Sequence, residues 1–401
     1  MAASEDDARG RPAPFDEAAL LEDARRRTGL DDFGDDSFRE PLRVLLQSLA
    51  EAPLNAVGTT VLRASIRRSL TQRLAAEACF AAHPEIADER VDDPVVIVGL
   101  MRSGTTLLQR LLARDPRFHS ALGWEIAEPA PRPGAPGGED DPRIADGIAR
   151  AAQMRQFAPQ LHAIHPTDAL EPDEEIVFLA DAFLSHVPEA SCDVPSYRAW
   201  LDAQDFTPAY VYLRRMLQLL QWQKRQRGAL GERWLLKTPA HLGYLDTLLA
   251  IYPEARVIHM HRTPVETVPS GASLNATLWR MYADDVDPRE VGRQWLGRTS
   301  WAARRARDVR AGLEDAAHRF VDVAYADLVR DPVAGTERVQ ERLGMTPSAE
   351  ARAAMETWLR ADAAEKRPRH RYSPEDFGLS ADGICAAFRG TLDACGPEEA
   401  R

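Results

Sequence analysis

The stretch Asp92–Pro116, "DDPVVIVGLMRSGTTLLQRLLARDP", decides the fold. Val95 to Leu100 is a short continuous apolar run, rich in β-branched residues and bounded by Pro94 and Gly99, which predicts a strand buried on both faces of a parallel sheet. An amphipathic helix pattern follows directly. Between them, Gly99-Leu-Met-Arg-Ser-Gly104-Thr105-Thr106 preserves the glycine spacing of GxxxxGK[ST], with Thr105 where that motif has its lysine. Glycines let the backbone turn tightly and approach a ligand. The unpaired N–H groups opening the helix, aided by its dipole, then suit a phosphate or sulfate.

Outward from this loop the pattern repeats. "RWLLK" (Arg233 to Lys237), "ARVIHMHR" (Ala255 to Arg262) and "RFVDVAYADL" (Arg319 to Leu328) read as further strands, the first two running straight into helix patterns. After Lys237, Thr238 is the expected N-cap and Pro239 the first helical residue, with Leu242, Leu245, Leu248 and Leu249 forming the buried stripe. Strand, short turn and helix in alternation predict an α/β domain: a P-loop-type parallel sheet flanked by helices.

Residues 1–14 are polar and read as disordered. Residues 15–93 read as N-terminal helices, including an arginine-rich face on "VLRASIRRSLTQRLAAEACF" that suits solvent. Residues 129–230 form a helical insert between the first two predicted strands. It is placed to cover their carboxyl ends as a lid, where open α/β sheets bind ligands. Residues 347–401 give a C-terminal helix and a basic turn, "EKRPRHRYSPEDFG".

The chain of 401 residues carries a net charge of −12 and is 44% apolar, so it has material for a substantial core and no surface built for nucleic acid or anionic membrane. Any anionic ligand therefore needs a local cluster of cations. Only three of the basic residues are lysines, Lys224, Lys237 and Lys366, so a lysine at a chemical position is informative. Cys79, Cys192, Cys385 and Cys395 have no CxxC spacing and read as free thiols of a reducing compartment. The acidic N-terminus lacks a signal-peptide core, and no apolar run has membrane-spanning length. A cytoplasmic, soluble protein is expected.

Without the loop lysine, and without an acidic strand for Mg²⁺, nucleotide hydrolysis is disfavoured. Arg102, inside the loop, is instead suited to bidentate contact with an anion. His259 and His261 alternate on one strand, but no carboxylate or cysteine at suitable spacing joins them, so no metal is expected. The paired acids Glu174 and Glu175 suit either a cationic acceptor or simple solvation of the lid.

With "GLMRSGTTLLQRLL", "GWEIAEP", "LLKTPAHL", "HMHRTPVETVPS" and "VAYADLVRDP" in this order, residues 94–378 resemble the sulfotransferases that use 3'-phosphoadenosine 5'-phosphosulfate (PAPS), in the bacterial branch akin to tyrosylprotein sulfotransferases. Met101 stands where the family usually has Pro. The resemblance implies that Arg102, Ser103, Gly104, Thr105 and Thr106 cradle the 5'-phosphosulfate. It implies that Arg262 and Ser270 hold the 3'-phosphate and that Tyr325 contacts adenine, although Tyr325 also suits packing. Lys237 matches the lysine that neutralises the oxygen left behind by the sulfuryl group. For the base, Glu125 resembles the catalytic glutamate of the tyrosylprotein enzymes. His241 lies four residues after Lys237, where cytosolic relatives have a histidine two residues on; Glu125 is favoured. Arg369 and Arg371, in the basic turn, stand where relatives cover the 3'-phosphate, though a solvated turn fits equally.

The function implied is metal-independent transfer of a sulfuryl group from PAPS to a hydroxyl of a small, hydrophobic acceptor, the lid offering Phe157, Phe178, Phe183, Tyr197, Trp200 and Tyr210 for its surface. A P-loop kinase of a small molecule, and a catalytically silent nucleotide-binding module, are the alternatives.

Overall fold

The computed structural model describes residues 13–135, 137–157, 167–364 and 372–391. Five parallel strands form one sheet: β1 (Val95–Gly99), β2 (Phe118–His119), β3 (Arg233–Lys237), β4 (Arg256–His261) and β5 (Phe320–Ala324), in the order β2-β3-β1-β4-β5. Every neighbouring pair is parallel, and β1 lies between β3 and β4. The unbroken apolar run of β1 has its reason here. Val96 and Val98 pack into the larger core on one face, whereas Val95 and Ile97 pack into a second core on the other.

Three predicted strands stand at nearly their expected bounds, and the fourth is shorter. The run Arg319 to Leu328 divides into β5 and a helix, Tyr325–Arg330, so Tyr325 sits at a strand-to-helix junction. β2 was not expected, since two residues carry no readable period. The segment after Lys237 opens as a 3-10 turn, Pro239–Tyr244, before the α-helix Leu245–Ile251. Thr238 makes no side-chain cap; its hydroxyl donates instead to Glu174 at 3.3 Å.

The N-terminal helices are Glu17–Thr28, Arg39–Glu51 and Ala56–Ala82. The arginine-rich face of the third is not simply solvated. Arg73 is 1% exposed, donates to the Phe33 carbonyl at 2.6 Å and lies over the rings of Phe38 and Tyr212. Tertiary partners satisfy its charge, which no helical periodicity reveals. Among the described residues of the insert are the helices Pro142–Phe157, Ile176–Asp181, Val187–Ser191, Pro195–Leu201 and Thr207–Gln226.

Cys79 and Cys192 are free, but Cys385 is disulfide-bonded, which corrects the expectation of four thiols. Pairing depends on approach in three dimensions, and sequence spacing gave no sign of it. No described helix is long and apolar enough to cross a membrane.

Candidate active site

The carboxyl ends of β1, β3 and β4 open into one cavity of about 540 Å³. The loop after β1 forms one wall. Its backbone needs Gly104 at φ 90°, where a Cβ would lie 2.7 Å from the Tyr325 ring; glycine alone lets that ring close against the loop. Arg102 also adopts a left-handed φ of 77°, an uncommon conformation for a side-chain-bearing residue that concentrates at ligand sites. The helix Thr105–Leu112 starts directly behind, so its first N–H groups face the loop. Ser103 is fully buried, and its hydroxyl has no hydrogen-bond partner among the described residues.

Arg262, Ser270 and Tyr325, all distant from the loop in sequence, converge on its Arg102 and on one another. The Arg102 guanidinium donates through Nε to the Ser270 hydroxyl at 3.2 Å, and Arg262 donates through Nη1 to the Arg102 carbonyl at 3.0 Å. The Arg262 guanidinium lies 4.2 Å from the centroid of the Tyr325 ring. Arg262 also pairs with Glu266 at 2.8 Å, one turn into the helix Pro264–Tyr282 that carries Ser270. Burial pulls the Arg102 pKa below its usual range, with the Arg262 cation adding to that effect. An anion between the two arginines relieves both.

Lys237, the last residue of β3, is 1% exposed. Its Nζ donates to Glu174 Oε1 at 2.6 Å and to the Thr106 hydroxyl at 3.2 Å, so the lysine missing from the loop returns to it from the neighbouring strand. Glu174 and Glu175 reach this point because the preceding segment is pinned to the stretch after β2. Gly123 and Trp124 donate to the carbonyls of Glu171 and Ala169, and Asp173 donates to that of Ala121. Glu175 Oε2 accepts from the backbone N–H of Lys237 at 3.1 Å.

Neither residue expected as the base lines the cavity. Glu125 is 1% exposed, accepts from Lys224 Nζ at 2.8 and 2.6 Å, pairs with Arg227, and accepts from the Leu122 backbone N–H. It is the counter-ion of Lys224 on the insert helix Thr207–Gln226 and does not line the cavity. His241 is fully buried, with Nε2 2.9 Å from Glu175 Oε1 and Nδ1 2.7 Å from the Tyr210 hydroxyl. It supports Glu175 and through it the backbone of Lys237. Arg369 and Arg371 lie outside the described residues.

Beyond Lys237 the cavity is mainly apolar, walled by Ile176, Val187, Leu274, Leu278, Trp295 and Trp301. This surface comes mostly from the helices Pro264–Tyr282 and Pro288–Ala311. Of the lid aromatics, Phe178, Phe183, Tyr197 and Tyr210 are buried in the protein core, and none of the six lines the cavity. His186 also faces the cavity, but its Nε2 is 2.6 Å from the Tyr244 hydroxyl and its Nδ1 is 2.8 Å from Glu189, while burial lowers its pKa.

His259 and His261 do meet a carboxylate, Asp322 of β5, with ligand atoms within 4.8 Å of one another. Strand pairing supplies it from across the sheet. Arg310 donates to both Asp322 oxygens, at 2.7 and 2.9 Å, and Nη1 lies 3.3 Å from His259 Nδ1, so a guanidinium serves as the cation there.

A strand-loop-helix anion cradle, a strand-end lysine that reaches into it and an arginine–serine pair at the next strand define the sulfotransferase architecture. The sulfotransferase family model matches residues 94–349, and the chain belongs to that family. It is 33% identical to sulfotransferase STF1 from Mycobacterium tuberculosis H37Rv, over 94% of this chain and 98% of that one, with a TM-score of 0.81. Sulfotransferase STF9 from Mycobacterium avium is 26% identical over 94% of this chain and 96% of its own, with a TM-score of 0.83. The omega-hydroxy-beta-dihydromenaquinone-9 sulfotransferase Stf3 of Mycobacterium tuberculosis and Mycobacterium bovis is 27% identical over 267 residues. The chain spans 63% of the length of these curated relatives.

Proposed function

We propose that the protein transfers a sulfuryl group from PAPS to the hydroxyl of an apolar small molecule. The observation that carries this reading is the convergence of Arg102, Arg262, Ser270, Lys237 and Thr106 around one loop at the mouth of an apolar cavity. The cradle fits the donor substrate on the protein's own terms. The loop has a buried, unpartnered hydroxyl at Ser103, and three cations surround it in a chain of net charge −12.

In this reading PAPS, bound as substrate, supplies the activated sulfuryl group. Ser103, Thr105, Thr106 and the amides opening the helix Thr105–Leu112 bind its 5' end, with Gly104 permitting the close approach. Arg262 and Ser270 hold the 3'-phosphate, and Tyr325 offers a ring edge to the base. Lys237 neutralises the charge that develops on the departing oxygen, and Arg102 shares that task. Such preorganised donors act where charge appears in the transition state, which is where they lower the barrier. The tail of the acceptor lies among Leu274, Leu278 and Trp295. An apolar alcohol matches that wall, and the named acceptor of the curated relatives is itself an omega-hydroxylated quinone.

Calorimetric titration tests the donor. 3'-Phosphoadenosine 5'-phosphate is expected to bind without Mg²⁺ and more tightly than ATP or ADP. Tighter binding of ATP with Mg²⁺ supports a small-molecule kinase instead. A search by mass for acceptors gaining one sulfuryl group separates an enzyme from a silent binding module.

A further inference from the structure

Resting on the sulfuryl-transfer reading and naming its acceptor more closely, we propose that the acceptor is an apolar alcohol with a second hydroxyl, which bridges the Trp295 indole and the Asn275 side chain in the cavity wall. Both residues line the cavity, beside Leu274 and Leu278. Asn275 is 2% exposed, and its Oδ1 is buried and accepts no hydrogen bond among the described residues. Trp295 Nε1 is likewise buried and donates none. A donor and an acceptor left unmet in an apolar wall cost more than a hydrogen bond ordinarily returns.

Helix geometry brings the two together. A Cβ at Gly271 would come within 2.2 Å of Trp295 Nε1, so the indole nitrogen stands close to the place of the missing side chain. Asn275 follows Gly271 by four residues on the same helix, Pro264–Tyr282. Positions at that spacing are neighbours on one face, about 5–6 Å apart at Cβ, and the later Cβ leans back toward the earlier turn. The indole N–H and the asparagine oxygen therefore flank a gap that one oxygen atom closes with two hydrogen bonds of about 3 Å.

The polarity of the gap selects the group. Trp295 Nε1 can only donate and Asn275 Oδ1 can only accept, so a hydroxyl, which does both, matches them. A carbonyl oxygen accepts alone and leaves Oδ1 unmet. A charged group is not called for, because Arg298, on the helix that carries Trp295 and also in the wall, already pairs with Glu189 at 2.7 Å and Asp202 at 2.6 Å. Trp295 stands in the apolar part of the cavity, beyond Lys237. The bridging hydroxyl thus orients the acceptor, and a different hydroxyl receives the sulfuryl group.

The test measures binding to the full chain saturated with 3'-phosphoadenosine 5'-phosphate, by calorimetry. The probes are decanol, the decanediols with one hydroxyl at the chain end and the second at each other position, and the matching hydroxydecanones. At least one diol is expected to bind about tenfold more tightly than decanol and than the hydroxydecanone of the same position. Asn275→Leu and Trp295→Phe each shrink that preference to within about twofold, a ratio that loss of folded protein alone does not move. The proposal is overturned if wild type prefers no diol over decanol, if a hydroxydecanone binds as well as the best diol, or if the preference survives both substitutions. Transfer to the same probes is scored separately by mass. A diol preference with no sulfated product would end the sulfuryl-transfer reading and keep the bridge as a binding site. Sulfated products with no diol preference would keep that reading and end the bridge.

Discussion

Arg262 donates through Nη1 to the backbone carbonyl of Arg102 at 3.0 Å, which ties the arginine of one strand end to the loop of another. The second contact of Arg262 is Glu266, on the surface, and its face rests on Tyr325. The guanidinium is oriented by three neighbours before any anion arrives. Replacing it with alanine is expected to remove a charge-assisted contact of about 1.5–3 kcal/mol from binding of 3'-phosphoadenosine 5'-phosphate, roughly a 10- to 100-fold loss. Adenosine 5'-phosphate, lacking the 3'-phosphate, should lose far less. Calorimetry with the two nucleotides checks the difference, and equal losses would remove Arg262 from the 3'-phosphate site.

Lys237→Ala should slow turnover by at least about a hundredfold, since a donor aimed at developing charge is commonly worth about 3 kcal/mol. Single-turnover rates at saturating donor separate this from weakened binding. A loss confined to KM would mean that Lys237 acts only in the ground state.

Gly104→Ala places a methyl group 2.7 Å from the Tyr325 ring at a φ of 90°. The left-handed backbone costs an alanine about 1–2 kcal/mol, and the ring must also move. Thermal unfolding should fall for Gly104→Ala, and the double variant with Tyr325→Ala should regain only the steric share. Full recovery in the double variant would show that the backbone carries no strain there.

Glu125→Gln tests the base expected from the sequence. It leaves the buried Lys224 without its carboxylate partner, a change expected to cost about 3–5 kcal/mol of stability. Burial already pulls the Lys224 pKa down, and Glu125 is what opposes that shift. Denaturant midpoints should drop, whereas kcat of the folded fraction should stay within a few-fold of wild type. A hundredfold loss of kcat in protein of wild-type stability would return the base to Glu125.

Asp322 gives a pH dependence of known sign. Burial raises its pKa, but His261 and Arg310 outweigh this and hold the carboxyl well below its usual range. The unfolded chain then binds the extra proton first. The contribution of Asp322 to stability is complete above its ordinary pKa near 3.8 and is lost as pH falls further towards the folded value. The stability difference between wild type and Asp322→Asn should therefore narrow as pH falls below about 4. A gap that widens below that pH would contradict the assignment.

Val95 to Thr106 announced both strand and cradle because each feature is local: β-branched apolar residues buried on two faces, glycine spacing, and a helix start. Arg262, Ser270 and Tyr325 were legible through resemblance, and the fold brings them to Arg102. The identity of the acid at the site was not legible. Glu125 and His241 carry the expected residue types near the expected places, yet partners more than sixty residues away absorb them: Lys224 in one case, Glu175 in the other. Two acids directly ahead of the apolar run "IVFLA" were the available signal for Glu174 and Glu175, and it read equally well as a solvated helix start.

By itself, the sequence determined the alternation of strand, turn and helix, the loop that turns tightly enough to face an anion, and the placement of a rare lysine at a strand end. Tertiary structure alone decided which charges remain for chemistry. A buried carboxylate is neutralised by whichever cation the fold brings within hydrogen-bond reach, and that pairing sets whether it holds the protein together or faces the acceptor.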